Sequence, residues 1–408
     1  MYIFKAGVVG AGFMGAEIAQ VVTYAGLPVV MKDIDQEMLD KGMDTIRRIY
    51  QRRVDKGKMS PTTMQEKMDL VIPTLSYDEF ADVDIVIEAV PEVMKIKQQV
   101  LGELDEVCPP ETIFASNTSA LSIEEMGSAT KRAHKTIGMH FFSPAHIMKL
   151  VEVIPSPETD QETVDDVVRF SEELRKIPVV VKECPGFLVN RLLMPYLNEA
   201  VMCLGEGAAT AAEIDGAMTG FGWPMGPFTL MDMIGVDVCA EVGQYLHSQY
   251  GDRGAPAPLW EKLVESGRFG EKAGAGFYGY GEETDEPVKQ MIKELQESGQ
   301  VPTGTGFSAD RLMMPMINEA AMCLMEDIAN VNDIDMACIA GIGMKVGDKR
   351  VGPLEYADEV GLDVVVQKLE GLEKKYGPRF HPADLLYQKV KGGDLGKKTS
   401  RGFMEHAT

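Results

Sequence analysis

A chain of 408 residues with 45% apolar and 25% charged side chains is long enough for two or three separately cored domains of ordinary globular composition. Its formal net charge of -23 excludes a general nucleic-acid binder, which needs a basic footprint, and leaves any anionic ligand to local basic spots. The six cysteines show no CxxC and no metal-ligand spacing; Cys203 and Cys323 lie in apolar helical runs as buried thiols, so a reducing compartment and no metal are expected.

Residues 3–9 form an apolar strand at once, with no signal peptide or membrane span in view, and the final Glu405-His406-Ala407-Thr408 carries no short organelle address. A cytoplasmic location is expected. The strand runs into Gly10-Ala11-Gly12-Phe13-Met14-Gly15. Ala16, Ile18, Ala19, Val21, Val22 and Ala25 then recur at helical spacing until Gly26 and Pro28 stop them. Residues 27–31 make a second strand that leads to Asp33, 23 residues beyond Gly10. A bare GxGxxG is weak evidence, but between a strand and a helix, with an acid at this distance, it is a dinucleotide-binding signature. Gly10 permits the tight turn, Gly12 lets the backbone approach a pyrophosphate, and Gly15 lets helix and strand pack closely. The N–H groups around Phe13 and Met14 then face the anion at the helix start. Asp33 accepts hydrogen bonds from the adenosine ribose. With Asp35 close by and no arginine following, a 2′-phosphate meets repulsion, so NAD is expected rather than NADP.

A helical stretch follows with Arg47, Arg48, Arg52, Arg53, Lys56 and Lys58. It reads either as a solvated helix face or as a patch for the phosphates of a coenzyme A group, and it is the largest basic exception in an acidic chain. Residues 84–90 (DIVIEAV) make a strand that passes Ala89 and Val90 into a polar loop with Glu92 and Lys97. Residues 112–115 make another, leading to Ser116-Asn117-Thr118-Ser119. Ligands of such sheets bind beyond the carboxyl ends of the strands, so these loop residues, Asn117 and Ser119 among them, are expected near the nicotinamide and its ribose.

Residues 136–142 (TIGMHFF) and 148–154 (MKLVEVI) read as strands separated by Ser143-Pro144-Ala145-His146. If they pair as a hairpin centred near His146, facing residues have numbers that sum to about 292, which sets His140 opposite Glu152. An imidazole held by a carboxylate is the base a dehydrogenase needs for the hydroxyl proton released as hydride leaves. No GxSxG elbow, Walker sequence or HExxH is present.

The back half is duplicated. GFLVNRLLMP at 186–195 returns as GFSADRLMMP at 306–315, an offset of 120 that also carries Asn198, Glu199, Cys203 and Asp215 onto Asn318, Glu319, Cys323 and Asp335. Six inserted residues move the offset to 126, which carries Gly226-Pro227, Asp237 and Lys272 onto Gly352-Pro353, Asp363 and Lys398. Asn190 becomes Asp310, so the second copy is expected to pack rather than to catalyse.

Taken in order, the glycine fingerprint, SNTS, HFFSPAHIMKLVEVIPS, ECPGFLVNR, MGPF and KAGAGFY resemble the 3-hydroxyacyl-CoA dehydrogenase family over essentially the whole chain. The HFFSPAH spelling and the doubled helical unit are similar to the dehydrogenase half of multifunctional fatty-acid β-oxidation enzymes, without their enoyl-CoA hydratase half. The resemblance implies an α/β plus all-α fold. A Rossmann domain is expected over 1–184, helical copies over 185–283 and 305–408, and a linker over 284–304. It implies NAD as cofactor and an acyl-CoA substrate, with His140 as base, Glu152 as its partner, and Ser119 and Asn190 as hydrogen-bond donors to the substrate. Asp33 matches the ribose position. Ala89, Glu92, Lys97, Ser119, Ser143 and Lys272 match positions lining the cofactor, and Lys56 a lysine near the CoA phosphates. Two positions depart from the pattern: single-function members usually carry Asn where Ser143 stands, though serine is usual in the multifunctional branch, and Asn or Asp is common where Val93 stands.

A separate hydratase and thiolase would complete the pathway, and an internal pseudo-dimer is expected to keep the chain monomeric. Two other readings compete: a dehydrogenase of a CoA-free hydroxy acid, such as carnitine or gulonate, and a non-catalytic NAD-binding protein.

Overall fold

The computed structural model describes residues 1–304 and 306–407. The expected limits of the second copy, 305 and 408, lie outside the described residues. The chain forms two compact units, Met1–Glu183 and Cys184–Thr408.

The first unit holds one sheet of eight strands: β1 (Ala6–Val9), β2 (Val29–Lys32), β3 (Val71–Thr74), β4 (Ile85–Glu88), β5 (Ile113–Ser116), β6 (Thr136–Phe141), β7 (Leu150–Pro155) and β8 (Ile177–Val180). Their order is β3-β2-β1-β4-β5-β6-β7-β8, and every neighbouring pair is parallel except β6 and β7. The strand order reverses between β1 and β4, which opens a ligand crevice at their carboxyl ends. Helices α1 (Phe13–Ala25), α2 (Gln36–Asp55), α3 (Pro61–Met68), α4 (Met94–Val107), α5 (Ile123–Gly127) and α6 (Gln161–Glu173) complete this unit. Because helices cover the sheet, its strands read as unbroken apolar runs, and β1, β2, β4 and β5 are buried at every residue. The edge strands β3 and β8, for which the apolar pattern gave no expectation, each contain a proline (Pro73, Pro178), which only an edge tolerates.

The second unit is helical. The first copy runs through α7 (Val189–Gly205), α8 (Ala211–Phe221), α9 (Pro227–Ile234), α10 (Val236–Tyr250) and α11 (Pro258–Glu265). The stretch 284–304 carries α12 (Glu286–Glu297), which buries Val288 and Leu295. The second copy follows as α13 (Ala309–Met325), α14 (Val331–Gly341), α15 (Pro353–Val360), α16 (Leu362–Tyr376) and α17 (Asp384–Gly392). The six inserted residues fall before α15 and form a hairpin, β9 (Lys345–Val346) with β10 (Lys349–Arg350). Its Gly347 N–H donates to the Phe221 carbonyl at the end of α8.

The repeated Gly-Pro pairs have a mechanical reason. Asp215 accepts from the Phe228 and Thr229 N–H groups at the start of α9, and Asp335 from Leu354 and Glu355 at the start of α15. A Cβ on Gly226 would lie 2.2 Å from the Asp215 carboxyl carbon, and one on Gly352 would lie 2.3 Å from that of Asp335. Each proline then takes the first helical position, where no N–H is needed.

The copies meet through α7 and α13 in a reciprocal pattern. Arg191 Nε donates to Glu319 at 2.6 Å, and Arg311 Nε donates to Glu199 at 2.7 Å. Arg191 also pairs with Glu326 and Arg311 with Glu206, while Arg253 reaches Glu319 and Arg379 reaches Glu199. Each arginine of the central pair faces the tyrosine that ends the fourth helix of its own copy, Tyr250 or Tyr376. Residue i of one copy meeting residue j of the other, and j meeting i, is the arrangement of a twofold interface. Among the described residues no helix is long and apolar enough to cross a membrane.

Candidate active site

The glycine loop takes the form its spacing requires. Gly10 has φ +102°, open to glycine, and a Cβ there would lie 2.6 Å from the Ala89 carbonyl oxygen. At Gly15 a Cβ would sit 1.8 Å from the Gly10 carbonyl oxygen, so only glycine lets α1 pack against this turn. At Gly12 a Cβ would meet nothing within 4 Å, and this residue caps α1 without a side-chain bond. That leaves an open cradle before the N–H groups of a thirteen-residue helix, which suits a pyrophosphate. Asp33, just past β2, accepts from the Ala11 N–H at 2.6 Å and from Ile34 N–H at 2.6 Å. It therefore braces the loop and still has acceptor sites for hydroxyls. Asp35 caps α2 by accepting from Met38 N–H.

A charge cluster closes the carboxyl ends of β4 and β5. Glu88 and Lys97 are fully buried and 2.8 Å apart; Glu88 also accepts from the Ser116 hydroxyl and the Val90 N–H. Lys97 reaches Glu92 at 3.1 Å, and Glu92 accepts from the Thr118 hydroxyl and the Ser119 N–H. Burial pushes the Glu92 carboxyl up. The Lys97 charge and the Thr118 and Ser119 bonds outweigh it and hold the group below the usual carboxylate range. Lys97, with two carboxylates on its ammonium, is only 1% exposed. Glu88 was not singled out from sequence, and Ser116 and Thr118 only as members of the SNTS loop. The signal was there: an acid ends an apolar strand, with a lysine nine residues on.

Asn117 accepts from the Phe141 N–H, tying the SNTS loop to β6 one residue past His140. In the β6–β7 ladder His140 stands opposite Glu152, as the sum rule requires, with Nδ1 2.7 Å from the carboxylate. His140 is 8% exposed and Glu152 is fully buried. A carboxylate can only accept, so the Nδ1 proton points to Glu152, and in the neutral ring the lone pair lies on Nε2. Ser143 is exposed at the start of the 143–149 turn. Val93 caps α4 without a side-chain bond, at a position where Asn or Asp would supply one.

Of the basic cluster, Arg47 pairs with Asp44, and Arg53 donates to the Tyr24 hydroxyl and faces its ring. Lys56 caps the far end of α2, roughly 30 Å along the helix from the Asp33 end.

Residues 5–184 match the profile described as 3-hydroxyacyl-CoA dehydrogenase, NAD binding domain, and residues 186–280 and 306–406 each match that of the same family's C-terminal domain. The chain belongs to the 3-hydroxyacyl-CoA dehydrogenase family. The fatty acid oxidation complex subunit alpha of Psychrobacter arcticus is 39% identical over 388 residues, 92% of this chain and 54% of that protein. The chain thus spans about half the length of the curated relatives it matches. Among solved structures, 3-hydroxybutyryl-CoA dehydrogenase from Escherichia coli K12 aligns with a TM-score of 0.86 at 29% identity, covering 96% of this chain and all of that one. An (S)-3-hydroxybutyryl-CoA dehydrogenase from Ralstonia eutropha aligns at 40% identity with a TM-score of 0.67, covering 69% of this chain and all of the other.

Within the family's C-terminal domain, Asn190 lies in the first turn of α7. At the equivalent place in the second copy Asp310 is ion-paired with Lys368, both oxygens at 2.8 Å, where the first copy has Asn190 and Val242. Lys272 pairs with Asp237 at 2.7 Å, and the second copy repeats this as Lys398 with Asp363.

Proposed function

We propose that this chain is an NAD-dependent oxidoreductase that interconverts (S)-3-hydroxyacyl-CoA and 3-ketoacyl-CoA. The observation that carries the reading is the buried His140–Glu152 pair at the carboxyl end of a sheet whose first loop is a dinucleotide cradle. In the oxidative direction the substrate hydroxyl gives its proton to His140 Nε2, while Glu152 fixes the ring and stabilises the imidazolium. NAD, when bound, accepts the hydride. Gly10, Gly12 and Gly15 admit the pyrophosphate, Asp33 takes the ribose hydroxyls, and Glu92, Asn117, Ser119 and Ser143 border the cofactor. Ser119 and Asn190 are hydrogen-bond donors to the substrate oxygen and nearby groups, and Lys56 serves the CoA phosphates. A cytoplasmic monomer working beside a separate hydratase and thiolase completes the reading.

NADH oxidation across 3-ketoacyl-CoA chain lengths, set against the free keto acids, is the direct test. Turnover of the CoA esters is expected, and equal turnover of free keto acids would sink the CoA reading. Cofactor choice offers a second test. Wild type is expected to prefer NADH, and Asp33→Ser to reduce the kcat/KM ratio of NADH over NADPH by about tenfold or more, the scale of one lost charged hydrogen bond. Equal use of the two cofactors by wild type would overturn the role given to Asp33.

A further inference from the structure

Three charged or titratable side chains that the proposed chemistry does not use converge on the 143–149 turn between β6 and β7. Glu17, in the second turn of α1, is 3% exposed; its carboxylate accepts from the Ala145 N–H and lies 3.3 Å from His146 Nδ1. Lys176, just before β8, is also buried, and its Nζ donates to the Ala145 and Met148 carbonyls. The turn's own backbone bonds are two, from the Ile147 and Met148 N–H groups to the Pro144 carbonyl. A carboxylate and an ammonium are costly to bury, and burial, then the nearby Lys149 charge, pulls Lys176 down to about 8. An apolar pair could fill the same space. What an apolar pair could not do is grip the turn's peptide groups from both sides, accepting from one and donating to two.

The turn begins at Ser143, three residues past His140. The ladder already fixes His140 against Glu152, with Phe141 against Val151 beyond them, so the base does not depend on the turn. We propose that Glu17 and Lys176 are positioning residues that hold the 143–149 turn, and with it Ser143, in the conformation that receives NAD. Glu17 does so from the helix whose N-terminus faces the pyrophosphate cradle, so one helix sets two parts of the cofactor site. The proposal rests on reading Ser143 as a cofactor contact.

Glu17→Ala and Lys176→Met, beside Glu17→Gln, are compared by NADH fluorescence titration of the whole chain and by NADH oxidation with acetoacetyl-CoA. Kd and KM for NADH are expected to rise by about tenfold in Glu17→Ala and Lys176→Met, as for one lost charged hydrogen bond. The kcat at saturating NADH is expected to stay within about threefold, and Glu17→Gln, which keeps an acceptor for Ala145 N–H, to bind NADH like wild type. A lower melting temperature with unchanged NADH affinity overturns the proposal, and so does a fall in kcat at constant KM. If Glu17→Ala does not fold, Lys176→Met carries the test. The titration needs no acyl-CoA, so a wild type inactive on acetoacetyl-CoA would refute the proposed reaction and leave this test intact.

Discussion

His140→Gln is expected to lower turnover by about 10²–10⁴-fold, the usual share of general acid–base catalysis, with NADH affinity nearly unchanged. Glutamine nearly fills the space of the imidazole and its amide can still donate to Glu152, so the buried carboxylate keeps a partner. What the variant lacks is a ring nitrogen that can take and return the proton. The effect should therefore fall on kcat and kcat/KM together, the pattern of an interaction made in the transition state. Binding of NADH should survive because the cradle lies elsewhere, at the β1–α1 turn and Asp33, braced by its own bonds to Ala11 and Ile34. Steady-state NADH oxidation with acetoacetyl-CoA, alongside NADH titration, checks both halves. Turnover near that of wild type would remove His140 as the base.

The parts of the site that could be read from the chain are those set by local geometry. GxGxxG places three glycines by steric necessity, and the open space at Gly12 and the crowding at Gly15 are both consequences of one tight turn. Hairpin register is arithmetic once the break at residues 143–146 is seen, so His140 and Glu152 could be paired before any fold was known. The duplication was legible for a similar reason, and even its shift of offset marked a real insertion, the β9–β10 hairpin. Long-range pairing of buried charges was not legible. Glu17 finds Ala145 across 128 residues, and nothing in the spacing of α1 announces it. The partners of Lys97 were not legible either: its place beyond a strand's carboxyl end and the family resemblance set it among the residues lining the cofactor and said nothing of its carboxylates. Here Glu88 and Glu92 enclose it. The edge strands β3 and β8 stayed hidden because their prolines break the apolar pattern that marks the central strands.

The interface between the copies should govern both stability and oligomeric state. Arg311→Ala is expected to destabilise the chain by about 3–5 kcal/mol, because it strips buried Glu206 of the guanidinium it accepts from and leaves Glu199 with Arg379 alone. Chemical denaturation should register this as a lower midpoint. Cutting the chain after residue 283 removes the whole α13 face at once and leaves Arg191 exposed with neither Glu319 nor Glu326. The reciprocity of the interface says what such a fragment should do next. Glu319 stands where Glu199 stands in the first copy, and Arg311 where Arg191 stands. Two truncated chains can therefore rebuild both central pairs as Arg191 of one with Glu199 of the other, twice over. In the intact chain the same partner is tethered at high effective concentration, so the intramolecular pairing should win at any ordinary protein concentration. Light scattering is expected to show a monomer for the full chain and a dimer for the truncated one. Glu199→Arg in the fragment should abolish that dimer by setting like charges opposite each other. A truncated chain that stays a stable monomer would refute the argument, as would a full-length dimer joined through α7.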